Sequence, residues 1–171
     1  MTMITLRGIW VLSFYGVSTA LLTLLSLLVS IWSEEGARAL ARVWAKANLW
    51  AAGIKVEVEG KENLPIGSSA GDNECGFIIA ANHTSAADIF AILAGLRLAI
   101  CWVARASLLR KPFMGWHLGR LHIPLARGSI GSAKRFIQEG TCKLDSGAAV
   151  VVFPEGTWRE DAGPMLPFKK G

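Results

Sequence analysis

Hydrophobic residues follow two different rhythms along this chain, and the change comes near Gly53. Residues 8–32 (GIWVLSFYGVSTALLTLLSLLVSIW) run without a charged side chain between Arg7 and Glu34. A helix of that length reaches about 37 Å, more than the roughly 30 Å hydrocarbon layer of a bilayer. The stretch ends in SIWSEE, not in the small-x-small exit of a cleaved signal peptide, so it predicts a retained membrane helix over about 8–32. A buried helix of a soluble protein rarely stays uncharged for so long. In the following segment, about 34–51, Arg38, Arg42 and Lys46 recur at every fourth position while Leu40, Ala41, Trp44 and Ala47 crowd another face. That pattern predicts a basic amphipathic helix suited to lipid headgroups, with Trp44 and Trp50 as interface residues, in preference to an ordinary solvated stripe.

Beyond Gly53, short apolar runs alternate with longer mixed segments. IKVEVEG (54–60) alternates strictly and predicts a strand exposed on one face; the Gly- and Ser-rich stretch after it is a loop. Strands are predicted at 77–81, 99–104, 121–126 and 148–153, and helices at 86–96, 106–118 and 129–144, the last with Ile130, Ala133, Ile137 and Leu144 on one side. Continuous apolar strands separated by helices indicate an α/β sheet covered by helices. The expected organisation is a membrane-associated helical segment, 1–52, and a catalytic domain, 53–171.

Composition changes this picture in two places. A net charge of +5 suits anionic lipids or phosphorylated substrates. No nucleic-acid module is recognisable and the basic residues are dispersed, so nucleic acid is not an expected partner. Cys75, Cys101 and Cys142 are odd in number and lack C-x-x-C spacing, which argues against a disulfide framework or a zinc site. Cys101, inside a predicted strand, reads as a small core residue. No metal is expected.

Ligands of open α/β sheets bind beyond the carboxyl ends of the strands, so the candidate chemistry lies just after each one. After 77–81 comes NHTSAAD, with His83 and Asp88. An imidazole can take a proton near neutral pH when a carboxylate fixes its tautomer. Yet S-A-A-D at 85–88 is also a capping box, with Ser85 bonding forward and Asp88 back, and on that fragment alone both readings stand. After 148–153 comes PEGTWRED. Pro154 ends the ladder and Gly156 permits close approach of backbone to a ligand, but a turn alone does not call for Glu155 and Thr157. His117 and His122 have no carboxylate beside them and read as structural or surface residues.

Two motifs together decide. NHTSAAD matches N-H-x-x-x-x-D and FPEGT matches F-P-E-G-T, about 70 residues apart and in the right order. With the intervening LLRKPFMGWHLGRLHIPLARG and the terminal LPFKKG, the chain resembles the glycerolipid acyltransferase family over about residues 50–171, most closely the bacterial 1-acylglycerol-3-phosphate (lysophosphatidic acid) acyltransferases. The resemblance implies acyl transfer from acyl-CoA or acyl carrier protein to the free hydroxyl of a lysophospholipid, directly and without a cofactor. By it, His83 removes the hydroxyl proton, Asp88 orients His83, and Glu155, Gly156 and Thr157 hold the glycerol phosphate acceptor. Arg127 pairs with the phosphate, and Arg105 and Arg159 are further binding candidates. Arg105 stands where many relatives have lysine, and Trp158 displaces Arg159 by one position from the family's E-G-T-R-S.

The implied product is phosphatidic acid and the implied setting the cytoplasmic (inner) membrane, with membrane lipids as partners. If residues 8–32 span, the excess of Arg38, Arg42 and Lys46 over Arg7 puts the catalytic domain in the cytoplasm; a hairpin in one leaflet gives the same placement. The chain stops before the family's last proline-containing motif, so a C-terminal truncation is expected. Two other readings stay open: an acyltransferase for another lysophospholipid, or an inactive membrane-anchored lipid-binding fragment. A third, a hydrolase using Ser85 as nucleophile, predicts labelling by a fluorophosphonate.

Overall fold

The structure, a computed structural model, describes residues 2–65, 76–110, 122–125, 130–157 and 167–168. Two helices come first, α1 (Thr2–Val29) and α2 (Glu34–Ala52). Ser33 caps α2: its hydroxyl accepts the Gly36 N–H at 2.9 Å, and Glu34 and Glu35 in the first turn suit the positive helix end. α1 ends at Val29, before Trp32, and begins earlier than the charge-free stretch because Arg7 does not interrupt a helix.

The two helices meet through small and polar residues. Ala37 and Ala45 are fully buried, and Asn48 Nδ2 donates to Ser18 Oγ at 3.2 Å across the pair. Arg7 donates to the Ala52 carbonyl at 2.7 Å, tying the start of α1 to the end of α2. The stretch Leu6–Val29 is long and apolar enough to cross a membrane, and little of it is buried. Tyr15 and Trp44 close over Phe90, whose ring lies edge-on to Trp44 at 4.8 Å.

Residues 54–60 join no ladder among the described residues, which corrects the expected strand. Their alternation is used differently. Val56 and Val58 are half-buried, and a Cβ on Gly95 would lie 2.7 Å from Val58 Cγ2 and 3.6 Å from Val56 Cγ1. Alternation reports one-sided burial, and a helix can supply that partner as well as a sheet can. The chain forms two compact units, Met1–Glu59 with Ile89–Leu96, and Gly60–Asp88 with Arg97–Gly171.

The second unit holds four parallel strands, β1 (Phe77–Ala80), β2 (Ile100–Arg105), β3 (Ile123–Leu125) and β4 (Ala149–Val152), in the order β1-β4-β2-β3. All four overlap the predicted strands. β4, flanked on both sides, is buried along Ala149, Val150 and Val151, whereas Ile78 on edge strand β1 is 60% exposed. Of the helices, α3 (Ala87–Gly95) follows β1 and α4 (Ile130–Asp145) precedes β4. The predicted helix 106–118 is, over Ala106–Arg110, a 3₁₀ turn, the geometry common in short connectors; its remainder lies outside the described residues.

The stripe expected on α4 holds at Leu144 and is corrected at Ala133 and Ile137, while the side chain of Ile130 lies outside what is described. Phe136 and Leu144 pack against Cys101, Ile123, Ala148 and Val150, while Ala133 and Ile137 are exposed. The chain leaves α4 through Gly147 at φ 77°, with the Gly147 and Ala148 N–H groups bonding back to Leu144 and Lys143. That reversal, which a side chain at 147 would strain, feeds the central strand.

Candidate active site

β1 and β4 are neighbours, and Ala80 pairs in register with Val152. Because the strands are parallel, the segments following both leave the sheet at the same edge. One carries His83, the other Glu155.

After β1 the chain runs into the first turn of α3, where Ser85 Oγ accepts the Ala87 N–H at 3.0 Å. Asp88, in that turn, points back. Its Oδ2 accepts the Thr84 N–H at 2.7 Å and the Ser85 N–H at 2.9 Å, and lies 2.9 Å from His83 Nδ1. The Thr84 hydroxyl reaches Oδ1 at 3.3 Å. One carboxylate thus makes both the capping contact with the Ser85 N–H and the contact with His83. Burial raises the Asp88 carboxyl, but the Ser85 N–H, the His83 hydrogen bond, the Thr84 N–H and the charge of a protonated His83 together outweigh it and hold the group below its ordinary value.

An ionised carboxylate only accepts, so in the neutral imidazole it is Nδ1 of His83 that carries the proton. The side chains of His83 and Asp88 are 16% and 24% exposed, sheltered but not sealed. One face of the imidazole lies on the Phe153 ring, centroids 4.0 Å apart.

After β4, Phe153, Pro154, Glu155 and Gly156 form a tight turn closed by the Gly156 N–H to the Phe153 carbonyl at 2.9 Å. Proline suits the second position, and Gly156 takes φ 66° at the fourth. Glu155 is 2% exposed and Thr157 half-buried. Arg105 ends β2 opposite Leu125, but its side chain lies outside what is described, as do Arg127 and Arg159 entirely. Cys75, His117, Lys169 and Lys170 also fall outside the described residues.

His122 has a structural role, because its Nδ1 accepts the Trp102 N–H at 3.2 Å, just ahead of the β2–β3 ladder. Cys101 is buried in the core and Cys142 is an exposed thiol. Phe153 was visible in the sequence only as the first residue of FPEGT, and its stacking on His83 was not, because that depends on β4 lying beside β1.

The arrangement resembles known proteins in sequence and in fold. Residues 55–171 match the acyltransferase family model. A 1-acyl-sn-glycerol-3-phosphate acyltransferase of Borreliella burgdorferi is 34% identical over 133 residues, 77% of this chain and 50% of that protein. The enzyme of the same name from Pseudomonas aeruginosa is 34% identical over 140 residues, 78% of this chain and 51% of its own length. The chain thus spans about half the length of these curated relatives. The crystal structure of the 1-acyl-sn-glycerophosphate (LPA) acyltransferase PlsC from Thermotoga maritima superimposes with a TM-score of 0.70 at 29% identity, covering 99% of this chain and 68% of that one. The matched stretch contains all four strands and both motifs at their carboxyl edge, and the chain belongs to the acyltransferase family.

Proposed function

We propose that this protein transfers a fatty acyl group from acyl-CoA or acyl carrier protein to the free hydroxyl of 1-acylglycerol-3-phosphate, giving phosphatidic acid in phospholipid synthesis. The observation that carries the reading is the 2.9 Å contact of His83 Nδ1 with an Asp88 carboxylate that two backbone N–H groups hold in place. An imidazole so oriented offers Nε2 to a proton.

In this reaction the acceptor hydroxyl gives its proton to His83 Nε2 as its oxygen bonds to the thioester carbonyl carbon. The tetrahedral intermediate then expels the thiolate, the C–S bond breaks, and the imidazolium returns the proton to sulfur. Asp88 steadies the imidazolium in between. A thioester is already activated, so positioning and proton transfer carry the catalysis. Glu155, Gly156 and Thr157 hold the glycerol phosphate part of the acceptor, Arg127 forks onto its phosphate, and Arg105 and Arg159 add positive charge.

The helical hairpin holds the protein at the cytoplasmic membrane among lipids, with the strands on the cytoplasmic side, where acyl thioesters are found. The apolar length of Leu6–Val29 and the basic face of α2 support that placement.

The test is thiol release from acyl-CoA in the presence of 1-acylglycerol-3-phosphate, with wild type beside His83→Ala. The expected loss is at least about a hundredfold, the scale of a general base. A variant retaining more than a tenth of the wild-type rate sinks the assignment. Exchanging the acceptor for other lysophospholipids in the same assay reads out headgroup preference.

A further inference from the structure

Three flat side chains lie in a row behind the reacting edge. His83 covers Phe153 at 4.0 Å with planes 16° from parallel, and Phe153 faces Trp102 at 5.9 Å and 16°. Trp102 is buried on β2, in register with Val151 of β4. We infer that Phe153 is a positioning residue for His83, fixing the plane of the imidazole and stabilising the imidazolium formed when it takes the acceptor's proton. This rests on the reading of His83 as the general base.

Two physical points carry the inference. The hydrogen bond from Nδ1 to Asp88 fixes a direction but does not by itself fix the plane of the ring, because the outer torsion of histidine is broad. A parallel ring 4.0 Å away removes that freedom. In addition, the face of a benzene ring is negative and attracts a cation within roughly 6 Å of its centroid. The attraction is weak while the imidazole is neutral and strong once it is charged. Stabilisation confined to the charged form lowers the barrier to proton removal without tightening the ground state.

The support behind Phe153 is rigid. Trp102 lies within a paired strand and its N–H is taken by His122, while the Phe153 carbonyl closes the turn that carries Glu155. Among the described residues, the ionisable groups on the elements flanking the ring are Asp88, in the first turn of α3, and Glu155, in that turn after β4. A purely space-filling Phe153 would be indifferent to the charge distribution of its ring.

The experiment changes that distribution and keeps the shape. Phe153 is replaced by phenylalanines carrying one, three and five ring fluorines, which drain the negative face progressively. His83 is titrated by NMR in the whole protein in micelles; three histidines make assignment by His83→Ala simple. Expected is a stepwise fall in the His83 pKa of about half a pH unit or more across the series. Alongside it kcat falls stepwise, by about threefold to thirtyfold at full fluorination, with KM for donor and acceptor within about twofold. If either the titration or kcat ignores fluorination in a protein that His83→Ala inactivates, the inference is overturned. If His83→Ala keeps its activity while fluorination still moves the titration, the base reading fails and the stack does not.

Discussion

His83 and Glu155 each stand three residues beyond a register pair, Ala80 on β1 and Val152 on β4, of two adjacent parallel strands. Motifs about 70 residues apart in the chain therefore emerge side by side at one edge of the sheet. Under the proposed function Glu155 binds the acceptor beside His83 and takes no part in the proton transfer. Glu155→Gln, which keeps the shape and removes the charge, is expected to raise KM for the lysophospholipid about tenfold while kcat falls less than about fivefold. Initial rates across acceptor concentrations decide it; a large fall in kcat at unchanged KM would assign Glu155 to the chemistry.

Asp88 serves the helix and the imidazole with the same oxygen. The two services separate under substitution. Asp88→Asn keeps an acceptor for the Thr84 and Ser85 N–H groups but no longer stabilises an imidazolium, so activity drops about a hundredfold or more with a modest loss of stability. Asp88→Ala loses the acceptor too and costs about 1–3 kcal/mol more in urea unfolding. Equal stability of the two variants would mean that the backbone bonds contribute nothing.

Those bonds also set a pH dependence. The Asp88 carboxyl is held below its ordinary value of 3.8 in the folded protein, so at acid pH the unfolded chain binds the proton first. Stability from this group is fully present above that value and is lost as pH falls through the lower folded one. The modest gap in unfolding midpoint between wild type and Asp88→Asn is therefore fully present at pH 7 and closes as pH falls below about 3.8. A gap that stays constant down to pH 2.5 contradicts the assignment.

How far the sequence carried this picture depends on the kind of signal. The four strands were legible because buried parallel strands are continuous apolar runs, as in AAVVVF before Pro154. His83 and Asp88 were legible through their spacing and their place at a strand end. Residues 54–60 have a strand's pattern without a strand's pairing, because alternation records burial on one side and not the identity of the partner. The stack of His83 on Phe153 depends on strand order, which neither local propensity nor motif spacing encodes.

The α4 stripe shows the same limit. Ile137 has the composition of a core residue, yet it is 65% exposed while Phe136 beside it packs on the sheet. On a helix, neighbouring positions point about 100° apart, so a shift of one residue turns the face. Phe136→Ala is expected to destabilise by about 2–4 kcal/mol and Ile137→Ala by less than about 0.5 kcal/mol. Denaturant midpoints of the two variants test the order; a larger effect at 137 would reverse the assigned face.

Ser85 is the residue on which acyl transfer and serine hydrolysis part. A nucleophilic serine needs its hydroxyl within about 3.2 Å of the proton-accepting nitrogen, and it becomes acylated. Here the Ser85 hydroxyl accepts the Ala87 N–H, while the Ser85 backbone N–H, which any residue retains, is the group that holds Asp88. Ser85→Ala therefore removes a cap and leaves the histidine's support intact. The expected outcome is a loss of about 1 kcal/mol in stability, acyl transfer within about threefold of wild type, and no fluorophosphonate labelling in either protein. Labelling that disappears with the substitution would instead make Ser85 a covalent nucleophile, and the direct attack of the lysophospholipid hydroxyl would have to be abandoned.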